Sequence, residues 1–100
     1  MINTLAKPEL ILLKKGACFK VLQVSGTAGM FMPPHHSTQE AVLIVKEGSA
    51  TLKIDGQEHH LHKGDLFIIP ATVSHSLELK TDFMAWVTME LESAIEFDKY

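Results

Sequence analysis

Apolar and polar residues alternate in short runs along this chain, and turn residues separate the runs. Gly16, Gly26, Gly29, Pro33-Pro34, Gly48, Asp55-Gly56, Lys63-Gly64, Pro70 and Thr81-Asp82 supply the punctuation. Between them lie strand-like segments at 10–13, 19–24, 30–32, 42–45, 50–54, 58–62, 66–69, 76–79 and 83–89. Short strands at regular spacing, cut by Gly, Pro and Asp turns, predict a β-sandwich or β-barrel. Residues 90–97 fit a helix or a continuation of the last strand equally well. The clearest local signal is a hairpin. Thr51-Leu52-Lys53-Ile54 runs into Asp55-Gly56, and Gln57-Glu58-His59 returns. Asp-Gly suits the type I′ turn, whose twist matches that of the strands it joins.

Two segments break the alternation. Ala41–Val45 and Leu66–Ile69 are apolar at every position, so both faces of each strand call for cover. One face looks into a barrel. The other, together with the apolar end Leu10–Leu13, predicts a homodimer in which a second copy covers sheet faces and exposed edges. At 100 residues the chain has room for one domain and one core. That core is expected over about residues 16–90, with both ends as edge strands or dimer contacts. Hydrophobic residues make up 46% and charged residues 21%, a globular composition. The net charge is −3 and no basic cluster exceeds Lys14-Lys15, which argues against a nucleic-acid partner. Met1–Lys7 lacks the pattern of a secretion signal. No apolar run approaches a membrane span, so a cytoplasmic protein is expected. Cys18 is the single cysteine; its apolar surroundings predict a buried filler.

Histidines carry the candidate chemistry. One stretch reads Gly29-Met-Phe-Met-Pro-Pro-His35-His36-Ser-Thr-Gln-Glu40-Ala-Val-Leu-Ile-Val-Lys-Glu-Gly48. The other reads Gly64-Asp-Leu-Phe-Ile-Ile-Pro70-Ala-Thr-Val-Ser-His75-Ser-Leu-Glu-Leu79. Together they resemble the two motifs of the cupin superfamily. The first family motif is Gly, five residues, His-x-His, three or four residues, Glu, six residues, Gly. The second is Gly, five residues, Pro-x-Gly-x-x-His, three residues, Asn. The resemblance implies a small single-domain cupin, a jelly-roll barrel whose motif side chains hold one divalent ion (Fe, Mn, Ni, Zn or Cu).

The ligand positions can be aligned in two ways. Counting back from Gly48 puts the family's Glu at Ala41, its second His at His36 and its first at Pro34. Counting forward from Gly29 puts the first His at His35 and the second at Ser37, with Glu40 three residues beyond. The second motif supplies His75, with Thr72 at the family's Gly and Leu79 at its Asn. The candidate metal ligands are therefore His36, His75, His35 and Glu40. Adjacent residues on a strand point to opposite faces, so only one of His35 and His36 faces the interior unless a bulge intervenes. Strand parity groups Met30, Met32, Pro34 and His36. Met30, Met32, Gln39, Ala41, Met84 and Trp86 are the candidate cavity wall. His59, His60 and His62 follow a polar hairpin and read as a solvated strand.

Three functions fit these residues. The barrel could bind a divalent metal weakly or a small molecule between its apolar walls. It could be a metal-dependent enzyme of dioxygenase or isomerase type. It could also be a structural dimer with a degenerate site.

Overall fold

The computed structural model describes residues 7–98; the outermost residues of the expected 1–100 domain lie outside that range. Ten strands follow one another: β1 Glu9–Lys15, β2 Phe19–Gly26, β3 Phe31–Ser37, β4 Ala41–Glu47, β5 Ser49–Ile54, β6 Gln57–His62, β7 Leu66–Ile69, β8 His75–Leu79, β9 Phe83–Glu90 and β10 Ile95–Phe97. They form two five-stranded antiparallel sheets, in the orders β1-β2-β9-β4-β7 and β10-β3-β8-β5-β6. The expected all-β jelly roll is the observed architecture. Among the described residues there is no helix long and apolar enough to cross a membrane.

Alternation builds the core, because successive residues of a strand face opposite sides of the sheet. Along β9, Phe83, Ala85, Val87 and Met89 are buried while the residues between them are not. Ala41, Leu43 and Val45 of β4 meet them from the adjacent strand. From the opposite sheet come Leu52, Leu77 and Leu79. The turn chemistry is as read from the sequence at the β5–β6 hairpin, where Asp55 and Gly56 take φ of 54° and 77°. At the β4–β5 corner the chain leaves one sheet for the other. Gly48 has φ 79° there, and a Cβ on it would lie 1.9 Å from the Asp82 carbonyl oxygen. Only glycine fits that corner.

Three local expectations are corrected. Residues 90–97 form neither a helix nor a continuous strand: β9 ends at Glu90, a turn follows, and β10 joins the other sheet beside β3. The segment expected at 30–32 runs on to Ser37. It passes through Pro33-Pro34, which lack an N–H and sit where the ladder to β8 is interrupted. Cys18 is exposed rather than buried, because it sits in the turn before β2, where no core reaches it.

The outer face of the first sheet stays apolar and open. Leu66 is 65% exposed and Ile68 52%; Val42 and Trp86 lie beside them on β4 and β9. β1 is exposed along nearly its whole length.

Candidate functional site: a histidine pair inside the barrel

β3 and β8 lie side by side, and their register places His35 directly opposite His75. The two rings pack edge to face with centroids 4.2 Å apart. Both are more than nine-tenths buried. Each Nδ1 lies against the backbone carbonyl two residues earlier: His35 at 2.7 Å from Pro33 O, His75 at 3.0 Å from Val73 O. A carbonyl only accepts, so each Nδ1 carries the proton and each Nε2 keeps its lone pair. Among the described residues no hydrogen-bond partner meets either Nε2.

Burial penalises the charged form of both rings. It pulls His35 down to about 4, against the pull of the Pro33 carbonyl, and the neighbouring His75 ring lowers it further. Burial also lowers His75, and the Val73 carbonyl opposes it. At neutral pH the site therefore presents two uncharged imidazoles, each in one tautomer.

The cavity beside them is about 40 Å³, room for an ion or one or two waters and far below the usual size of a drug-like pocket. Met32, Leu43, Leu52, Val87, Met89 and Ile95 are among the apolar residues of its wall. Ser37 is the further polar residue in that wall, and its hydroxyl donates to the Gln39 carbonyl at 2.8 Å. On its other side His75 borders an open depression shared with Pro34, Asp55 and Ser74.

Strand parity grouped His36 with Met32; the structure instead puts His35 and Ser37 on the inner face with Met32. The ladder slips between Met32 and His35, across the two prolines, and the slip reverses the phase of every later residue. His36 is turned outward. Its Nδ1 lies 2.8 Å from an Asp98 carboxylate oxygen and its Nε2 3.1 Å from Glu96. The hydrogen bond to Asp98 is the main reason its pKa is raised. Asp98 is lowered, first by the Ser74 hydroxyl that donates to it and then by His36.

The other candidates separate in the same way. Ala41 lines the cavity. Gln39 and Glu40 sit exposed in the turn before β4. Met30 packs against the core without reaching the cavity. Met84 and Trp86 lie on the outer face of β9, where the indole N–H donates to Gln23 and Lys46 sits over the ring. Val87 and Met89 occupy the inner face of that strand instead. On β6, His60 and His62 are exposed and His59 packs on Phe67.

Once Ser37 is seen inside, the two alignments of the first motif become one. Allowing three residues before the acidic position gives Gly29, His35, Ser37, Ala41 and Gly48 in unbroken register. The four motif ligand positions are then His35, Ser37, Ala41 and His75, and all four line this cavity. Residues 21–89 match the family model described as Cupin domain.

The chain belongs to the cupin family.

Solved structures agree on the fold. A DMSP lyase, DddQ, from Ruegeria pomeroyi DSS-3 superposes with a TM-score of 0.81 at 22% identity, over 91% of this chain and 51% of the lyase. A cupin superfamily protein from Desulfitobacterium hafniense DCB-2 gives 0.77 at 15% identity, covering 92% of this chain and 84% of its own. A salicylate 1,2-dioxygenase from Pseudaminobacter salicylatoxidans gives 0.71 at 23% identity, with 79% of this chain and 25% of the enzyme covered. This chain thus spans about half of the lyase and a quarter of the dioxygenase. No curated protein matches it in sequence.

The divalent ion implied by the family does not fit the residues present. Ala41 offers no donor atom, and no carboxylate lines the cavity. Among the described residues no group of three or more His, Cys, Asp or Glu side chains is placed to hold a metal. Zinc sites ordinarily draw on three or four protein ligands, and a facial iron site on two histidines and a carboxylate. This cupin retains two imidazoles.

Proposed function

We propose that this cupin is a binding protein, whose cavity takes a small ligand through the Nε2 atoms of His35 and His75. One observation carries the reading. Two buried, neutral, tautomer-locked imidazoles leave unpaired acceptors in a wall that is otherwise almost wholly apolar. A buried acceptor without a partner is costly, so an occupant that offers a hydrogen-bond donor or an electron-pair acceptor is favoured there. The exposed thiol of Cys18 suits a reducing compartment such as the cytoplasm.

The test starts from chain purified without an affinity tag. Its metal content is measured, and thermal shifts are recorded with Fe, Mn, Ni, Zn and Cu salts and with a panel of small organic molecules. The expected result is metal content far below one equivalent per chain, and ligand shifts that vanish in His35→Gln and His75→Gln. One divalent ion per chain that survives dialysis and disappears in both variants would overturn it.

A metal-dependent enzyme of dioxygenase, lyase or isomerase type is the second reading. The carbonyl bond on each Nδ1 favours it, since metal-ligating histidines usually hold their second nitrogen in this way. A divalent ion there would polarise a substrate oxygen. It would rest on two protein ligands.

The reading includes a homodimer. The apolar outer face of the first sheet and the exposed edge strand β1 are surfaces that a second copy would remove from water.

A further inference from the structure

β10 is the shortest of the strands that line the cavity, and it pairs with β3 alone. Its register sets Ile95 opposite Ser37, Glu96 opposite His36 and Phe97 opposite His35. Alternation turns Ile95 and Phe97 to the inner side and Glu96 to the outer. Ile95 enters the cavity wall. The Phe97 ring centroid lies 5.3 Å from that of His35, and the Lys7 ammonium sits over the same phenyl ring at 4.9 Å. β10 thus covers the histidine pair from the His35 side.

The two ends of this strand are tied unequally. At the root, Ser93 is 2% exposed. Its hydroxyl accepts from the Gln39 amide at 3.2 Å, and its carbonyl accepts from Lys20 Nζ at 2.6 Å. The Thr38 amide donates to the Ala94 carbonyl at 2.9 Å, and the Ala94 amide donates to the Thr38 hydroxyl at 3.0 Å. At the tip, His36 meets Asp98 and Glu96, the Ser74 hydroxyl donates to Asp98, and the Asp98 amide donates to the Pro34 carbonyl. The Asp98 and Glu96 side chains are 24% and 58% exposed. Water competes for exposed ion pairs, which contribute little, and it does not reach the buried serine. Local opening starts where the ties are weakest, so the strand peels from its tip.

We propose that β10 is the gate of the cavity: it swings from its root at Ser93, lifts Phe97 off His35 and Ile95 out of the wall, and admits the occupant. This rests on the reading of the cavity as a binding site and names the element that controls entry.

A reversible bolt tests the gate. His36 and Glu96 face each other across the ladder, where Cα atoms lie about 4.5–5.5 Å apart, a span that a disulfide bridges. The double variant His36→Cys with Glu96→Cys is made in a Cys18→Ser chain, since Cys18 is exposed. Oxidation bolts the strand. Reduction, followed by blocking of the thiols with iodoacetamide, frees it. One chain supplies both states, and circular dichroism checks that each is folded. The probe is diethyl pyrocarbonate, which acylates uncharged imidazole nitrogens, and peptide mass spectrometry reads each histidine. His60 and His62, exposed on β6, are the reference.

Modification of His35 and His75 should be roughly tenfold slower in the bolted form than in the freed form, with the reference rates equal. In the chain with no engineered bolt, Phe97→Ala should quicken modification of His35 more than that of His75. Equal rates in the bolted and freed forms overturn the gate, as does a freed form in which neither ring reacts. If equal rates are found while an organic ligand still shifts the melting temperature through both histidines, the gate falls and the binding reading stands. If the bolt protects both rings but no organic molecule shifts the melting temperature through them, the strand opens as described and it is the binding reading that fails.

Discussion

Acidification of the metal-free chain from pH 7.5 to 4.5 tests the buried pair most directly. His35 is held at about 4 in the folded chain against an unfolded value near 6.5. A group whose pKa is depressed by folding stabilises the fold above its unfolded value and loses that contribution as pH falls toward the folded one. Over this window His35 alone removes about 2.5 kcal/mol, at 1.36 kcal/mol per unit. That is a large share of the 5–15 kcal/mol typical of a domain. His75 is lowered as well and acts in the same direction. His36 acts against them. Its raised pKa means that its contribution is complete below the unfolded value and fades as pH rises through the folded one, so acid strengthens its clasp. Asp98 is lowered, and its contribution fades only at pH below the window. Urea unfolding followed by circular dichroism reads the balance. With a slope of about 1–2 kcal/mol/M for a small domain, the loss at His35 should lower the midpoint by about 1.2–2.5 M. The His35→Gln chain should lose most of that pH dependence, and His36→Gln should steepen it. If His35→Gln keeps the wild-type pH dependence in full, the ring is not buried as an uncharged base and the account of the site fails.

Thr72 sits at the motif position where the family has glycine, with φ of 66°, a conformation that a β-branched residue rarely adopts. Thr72→Gly should raise stability by about 1 kcal/mol, the αL cost relieved less the added entropy of the unfolded chain, and the melting temperature by about 4–8 °C; an unchanged or lower melting temperature refutes the strain. His36→Ala removes both carboxylate contacts that tie β10 to β3, so the Asp98 amide, which donates to Pro34, should exchange roughly tenfold faster while β8 amides stay protected. Equal exchange rates would mean that backbone pairing alone holds β10. Leu66→Glu places a charge in the exposed apolar face of β7 and should convert a dimer to monomer by light scattering; a wild-type chain that is already monomeric at micromolar concentration ends the dimer proposal.

Local patterns reached far in this chain. Asp55-Gly56 marked its hairpin because two left-handed residues are needed there, and φ values of 54° and 77° are what the turn adopts. His75 could be placed by counting from Gly64 and Pro70, since that segment carries no insertion or deletion, although Thr72 takes a left-handed φ within it. The first motif was harder. Parity assumes an unbroken pleat, and Pro33-Pro34 interrupt the ladder between Met32 and His35, so the residue facing inward changed from His36 to His35. Trp86 and Met84 were assigned to the cavity on residue type, but the face of β9 is decided by its pairing with β2 and β4. Cys18 read as core from apolar neighbours that begin only after it.

Most strand positions, the turns, a sandwich or barrel and the two histidine-bearing stretches follow from periodicity and turn chemistry, which act between residues near in the chain; the tenth strand, Ile95–Phe97, does not. The convergence of His35, Ser37, Ala41 and His75 on one cavity, the outward turn of His36 onto Asp98 and Glu96, and the suppressed basicity of the pair are decided only when β3, β8 and β10 pack together. The reason is physical: a single-residue slip reverses which face a side chain takes, and burial, which sets the charge of an imidazole, exists only once distant strands close over it.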